Sequence, residues 1–139
     1  MELVEFCKAT KWRGEPLSND PLIRSRLTQL SIEIDAGLAQ ARHIFWGQHK
    51  IFAGEEGPAE QTIRSSSGKY YASELAQRFA YVGCQVLGLY SQLKGESRWA
   101  PFKGWFEGEY QRSPGTNIAG GTTEIQKNII AWGMGLPRT

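Results

Sequence analysis

The chain has 139 residues, of which 40% are hydrophobic and 22% charged, and its 16 basic and 14 acidic residues leave a formal net charge of +2. That length suits one domain with a real core, and the composition is ordinary for a globular protein. The basic surplus is too small and too scattered to argue for nucleic acid, the apolar runs are too short to span a membrane, and Met1-Glu2-Leu3-Val4-Glu5 has no basic-then-apolar leader pattern.

Apolar periodicity is helical almost throughout, and no alternating strand pattern competes. Leu3, Val4, Phe6 and Cys7 mark a short amphipathic helix from Glu2 to about Thr10. Lys11 to Asp20, with Gly14 and Pro16, reads as a turn-rich connector. Asp20-Pro21 is an N-cap followed by a proline that loses no helical hydrogen bond. From there Leu27, Leu30, Ile34, Leu38, Ala41 and Phe45 step by three or four, predicting a helix to Phe52 or Ala53. At about 1.5 Å per residue it is roughly 50 Å long, a length typical of one rod of a bundle.

Gly54-Glu55-Glu56-Gly57-Pro58 ends that rod, and a third helix starts at Pro58 or Ala59 with a stripe of Tyr71, Leu75, Phe79, Val82, Val86 and Leu89. Gly68 marks a kink or a close contact, Gly83 a place where a neighbour approaches, and Gly88 the stop. Leu89 to Pro101 reads as a loop, Phe102 to about Arg112 as a short aromatic piece, and Ser113 to Gly121 as a second loop. The last helix runs from Thr123 to Ala131 or Trp132 and stops before Gly133, Gly135 and Pro137. The expected fold is all-α: an antiparallel up-and-down four-helix bundle with two long helices and a short C-terminal helix.

Two stretches carry candidate chemistry. Gly120 and Gly121 have no Cβ, so their backbone can adopt positive φ and approach a flat ligand closely. Thr123-Glu124-Ile125-Gln126 has the T-x-x-Q form of a capping box. The first-turn N–H groups left over favour phosphate or carbonyl oxygens. A plain glycine turn before a capped helix explains the same residues. Gln85-Val86-Leu87-Gly88-Leu89, at the end of the third helix, reads locally as an ordinary glycine stop.

Taken together, GGTTEIQKNIIA followed by GLPR, with QVLGL upstream, closely resembles the C-terminal signature of the flavin-dependent acyl-CoA dehydrogenases. The resemblance extends over essentially the whole chain, though the family's members are longer. It implies that residues 1–139 are the helical bundle alone, without the family's N-terminal helical and middle β domains. In the family the bundle cradles FAD and mediates assembly; the flavin takes hydride from the acyl β-carbon while a carboxylate removes the α-proton. The resemblance places Gly121 against an acyl-CoA thioester. It places Thr122, Thr123 and Glu124 against FAD, and Gln85, Val86, Leu87, Gly88 and Leu89 at another part of the FAD. It implies a homo-oligomer or hetero-oligomer serving cytoplasmic fatty acid metabolism, and leaves the electron acceptor open.

Three departures accompany the match. Gly120 stands where many relatives carry the catalytic glutamate, so no catalytic residue is assigned; glycine has no side-chain proton acceptor. Leu89 stands where the family has a second glycine, and the family's arginine before the second long helix has no clear counterpart in Thr10 to Gly14. Without the middle domain and a base the chain by itself is expected to be inactive, and Gly120 motivates a second reading, a non-catalytic assembly module of a heteromeric enzyme. Of the remaining residues, Cys7 and Cys84 fit no metal or redox spacing and read as buried or half-buried thiols of a reducing compartment. His43 and His49 do not share a helical face, so no metal site is expected. Trp99, Trp105 and Trp132 read as core or interface anchors, Glu107 and Glu109 as a solvated pair, and Arg112 as a cation for a phosphate or carboxylate.

Overall fold

The computed structural model describes residues 2–138, mostly helical. Five α-helices follow in order: α1 (Glu2–Ala9), α2 (Pro21–Phe52), α3 (Pro58–Leu87), α4 (Trp105–Thr116) and α5 (Thr123–Gly133). Asp20 caps α2 as its sequence indicates, its Oδ1 accepting from the N–H groups of Leu22 at 2.8 Å and Ile23 at 3.1 Å. Gly54, at φ +72, follows its far end. There the Glu55 N–H closes back on the Lys50 carbonyl at 2.9 Å and satisfies an end-of-helix acceptor.

The connector is not wholly irregular. Lys11–Trp12 (β1) pairs antiparallel with Glu15–Pro16 (β2), Lys11 opposite Pro16 and Trp12 opposite Glu15. Arg13 at φ +52 and Gly14 at φ +89 form the two-residue turn, with positive φ at both central positions, the geometry that suits a hairpin's twist. No alternation could announce strands of two residues. The expected loop after α3 also contains structure, with 3-10 turns at Gly88–Gln92 and Pro101–Gly104. Further on, α4 continues to Thr116 through Pro114, where a loop is expected from Ser113. Proline there leaves the Tyr110 carbonyl without its intrahelical N–H, and the helix ends two residues later.

The chain divides into two compact units, residues 1–33 with 77–112 and residues 34–76 with 113–139. The first unit holds the main apolar core: Leu3, Cys7, Leu27, Val86, Leu87 and Phe106. Each large apolar side chain so buried contributes about 1.5–3 kcal/mol. Phe106 is surrounded by rings, with centroids 4.9 Å to Trp105, 5.3 Å to Phe102 and 5.8 Å to Phe79. Burial raises the thiol pKa of both Cys7 and Cys84, in keeping with unreactive packed cysteines.

In the second unit the α2–α3 seam is made by small residues. A Cβ on Gly68 would lie 2.3 Å from Ile44 Cδ1, and one on Gly47 would lie 2.5 Å from an Arg64 guanidinium nitrogen. Gln61 Nε2 donates across the seam to the Ile44 carbonyl at 3.2 Å, and Arg64 pairs with Glu56. This corrects the expected stripe on α2. Leu27 and Leu30 are buried, but Leu38 and Phe45 are exposed, at 52% and 76%. Glycine carries no hydrophobic signal, so periodicity picks out the large side chains instead of the face that packs.

The tryptophan expectation also changes. Trp99 is 65% exposed, its ring beside the Arg98 guanidinium, and Trp105 is half exposed; the phenylalanines supply the core. The acidic pair separates as well: Glu109 is buried and bound by Arg112, whereas Glu107 is half-buried on α4.

Candidate functional site

The turn before α5 lies wholly in the second unit. Gly120 and Gly121 have φ of +71 and +98, so both occupy the left-handed region the sequence anticipates. The cap is displaced by one residue from the expected box. Thr122, not Thr123, is the N-cap, its hydroxyl accepting from the Ile125 N–H at 3.3 Å. Gln126 does not reach back to the cap N–H; its Nε2 donates to the Gly120 carbonyl at 3.0 Å and the Gly121 carbonyl at 3.5 Å. With two adjacent threonines, spacing alone does not decide which one caps, and the left-handed glycines put Thr122 at the entry.

This displacement frees Thr123. Its N–H donates to the Asn117 carbonyl at 3.1 Å, its side chain is buried, and its Oγ1 has no hydrogen-bond partner. Asn117 donates from Nδ2 to Glu74 on α3 at 3.1 Å, while its own Oδ1 is buried without a partner. Buried unpartnered polar atoms are rare and costly, and two adjoin this turn.

Lys69, on α3, is the residue the sequence reading misses. Its ammonium donates to the Gly121 carbonyl at 2.6 Å and to the Asn117 carbonyl at 3.5 Å. Nothing in the spacing of a lysine 52 positions upstream signals that bond. All peptide bonds among the described residues are trans, so a carbonyl and the following N–H point in opposite directions. With the Gly120 carbonyl held by Gln126 and the Gly121 carbonyl by Lys69, the N–H groups of Gly121 and Thr122 point away from those side chains. Neither finds an acceptor among the described residues. The adjacent Glu124 is exposed, its carboxyl held below the usual range by its own backbone N–H and then by the Thr122 hydroxyl.

The second stretch lies in the first unit. Helix α3 ends at Leu87, and Gly88 at φ +57 opens the following 3-10 turn. Val86 and Leu87 are buried in the core, which leaves their backbone as the part able to meet a ligand. Gln85 lines a cleft of about 480 Å3 with Tyr81, Cys84, Ser91, Glu107 and Tyr110. Leu89 is 82% exposed, so its side chain is accommodated without displacing anything in the fold.

The turn fits a flavin's polar edge. It offers two unpaired N–H groups and two residues without a Cβ to hold a planar group off, with the unpartnered Thr123 hydroxyl buried beneath. Gly120 offers no base, and a Cβ there would meet nothing within 4 Å, so the position is sterically open but chemically empty.

Two solved structures share the fold across 99% of the chain. The crystal structure of the ChsE4-ChsE5 complex from Mycobacterium tuberculosis has a TM-score of 0.80 at 25% identity, with 34% of that chain covered. The Tcur3481-Tcur3483 steroid ACAD has a TM-score of 0.78 at 19% identity, with 33% covered. The chain thus spans about a third of the length of these structures. A search of curated proteins finds no match. Residues 1–135 match the acyl-CoA dehydrogenase C-terminal domain, including both the QVLGL stretch and the glycine–threonine turn, and the chain belongs to that family.

Proposed function

We propose that this domain cradles FAD and mediates assembly in an oxidoreductase that dehydrogenates acyl-CoA thioesters between the α and β carbons. The observation that carries the reading is the turn itself: positive-φ Gly120 and Gly121, unpaired N–H groups, and the buried unpartnered Thr123 hydroxyl. Thr122, Thr123 and Glu124 contact the flavin, and Gly121 lies against the thioester. Gln85, Gly88 and the backbone of Val86, Leu87 and Leu89 serve another part of the cofactor. FAD, when bound, supplies the hydride acceptor. The residues of this chain bind and orient, and the domain takes the up-and-down bundle form.

Abstraction of the α-proton needs a base that this turn does not hold. Gly120 has none, and Glu124 is held below the ordinary carboxylate range, which weakens it as a base. Glu74 is already hydrogen-bonded by Asn117. The 139-residue chain mixed with FAD, an acyl-CoA and a redox dye is expected to show no turnover with straight-chain or steroid-bearing thioesters. FAD added to the chain with its partner subunits is expected to give a visible flavin band that stays with the protein. Turnover by the chain alone would overturn the first expectation, and absence of bound flavin in the assembly would overturn the cradle.

Gly120 also favours a second reading, a non-catalytic module that completes a partner subunit's site. A two-component neighbour, the ChsE4-ChsE5 complex, is in keeping with it. Either reading requires association, and α2 offers a surface for it. Leu38, Phe45 and Phe52 lie seven residues apart on one helical face and are all exposed, with Trp46 beside them. A row of large apolar side chains in water is the mark of an interface. Phe45→Asp, which removes no packed contact from a residue 76% exposed, is expected to lower the assembly state by light scattering with little change in Tm. An unchanged mass would remove this face from the interface.

A further inference from the structure

Two charged groups on α3 reach the segment of the glycine turn: Glu74 accepts from Asn117 Nδ2, and Lys69 donates to the Gly121 carbonyl itself. Its ammonium is half-buried on α3, and it lies on the Gly121 and Asn117 carbonyls, the two acceptors that bracket the turn. A charged donor makes a stronger hydrogen bond than a neutral one, and this one acts on a segment whose two glycines give it little stiffness of its own. Gln126 holds the preceding carbonyl, and the Thr123 N–H closes onto Asn117. The loop is therefore pinned at successive points, with Glu74 joining Asn117 to α3 and Lys69 joining Gly121 to it.

We propose that Lys69 is a positioning residue: by holding the Gly121 carbonyl on α3, it fixes the Thr122 N–H in the opposite direction and keeps the turn in its ligand-ready shape. This rests on the reading of the turn as a flavin and thioester site. Without the ammonium, the Gly121–Thr122 peptide plane is free to rotate about glycine's permissive torsions, and the N–H loses its fixed aim. Arginine offers several N–H donors and a permanent charge in similar reach, so it replaces the tether in part. Methionine matches the stem but donates nothing.

The test has two arms. In the chain without added flavin, hydrogen exchange of the Thr123 amide, which donates to the Asn117 carbonyl that Lys69 also reaches, is compared for wild type, Lys69→Met and Lys69→Arg. Lys69→Met is expected to speed exchange there about tenfold, with the amides of α2 unchanged, and Lys69→Arg to restore most of the protection. Equal exchange in Lys69→Met and wild type overturns the proposal, whatever the ligand. In the assembled protein with FAD, Lys69→Met is expected to weaken flavin binding about tenfold and shift the visible flavin band, both reversed in Lys69→Arg. A loosened turn with unchanged flavin affinity and spectrum makes Lys69 merely structural and also overturns it. If wild type binds no FAD, the flavin reading fails, and the exchange comparison still decides whether Lys69 holds the turn.

Discussion

Gly83→Val is expected to be the most destabilising single change in the chain, lowering stability by about 3 kcal/mol or more, on the scale of severe core overpacking. A Cβ at residue 83 would lie 1.9 Å from Phe106 Cε1 and 2.1 Å from Cδ1. Something must then move, and Phe106 cannot move without disturbing the rings around it. Its ring is packed at centroid distances of 4.9 to 5.8 Å by Trp105, Phe102 and Phe79. The Cys84 thiol also lies 3.6 Å from the Phe106 carbonyl. Gly83→Ala separates the two opposing effects. Alanine gains about 1 kcal/mol of helix propensity over glycine, yet it brings the same clash. A net loss for Gly83→Ala in urea titration shows that the collision wins. The total stability of a domain is about 5–15 kcal/mol, so Gly83→Val would remove a large part of it. A Gly83→Ala variant as stable as wild type would show that the Phe106 cluster can yield.

That contact also indicates how far the sequence carries. Gly83 reads there as a place where something approaches, and Gly68 as a close contact; both hold, with Phe106 and Ile44 as the occupants. The long helices and the Asp20 cap were legible because their signals are local: periodicity, a capping carboxylate and a flanking glycine. The exposed face of α2 was not. The seam in the second unit is built from Gly47, Gly68, Gln61 and Arg64, and none of these adds to a hydrophobic stripe. At the site, the glycines were legible as a positive-φ turn before a capped helix, but the division of labour between the two threonines was not. Whether Thr122 or Thr123 caps α5 depends on the backbone that Gly120 and Gly121 adopt, and that backbone is held by Lys69 through a bond 52 residues long in sequence. A bond of that kind has no local signature.

Gly121→Ala is expected to weaken FAD binding by the assembled protein ten- to a hundredfold, whereas Gly120→Ala changes it less than about threefold, on the scale of about 1.4 kcal/mol per tenfold. The two glycines are neighbours with positive φ, so strain alone does not separate them. A non-glycine residue there costs about 1–2 kcal/mol at either position. What separates them is their surroundings. A Cβ on Gly120 meets nothing within 4 Å, but one on Gly121 lies 2.7 Å from Gln126 Nε2. That amide can swing aside, but only by leaving the Gly120 carbonyl it holds at 3.0 Å. Gly121→Ala therefore adds the same strain as Gly120→Ala and also releases the turn's second tether, and it is the tether that ligand binding would have to restore. Flavin titration of the two variants, with the thermal midpoint as control, reads the difference. Equal losses would mean that backbone strain alone governs the turn, and that the Gln126 contact plays no part in shaping it.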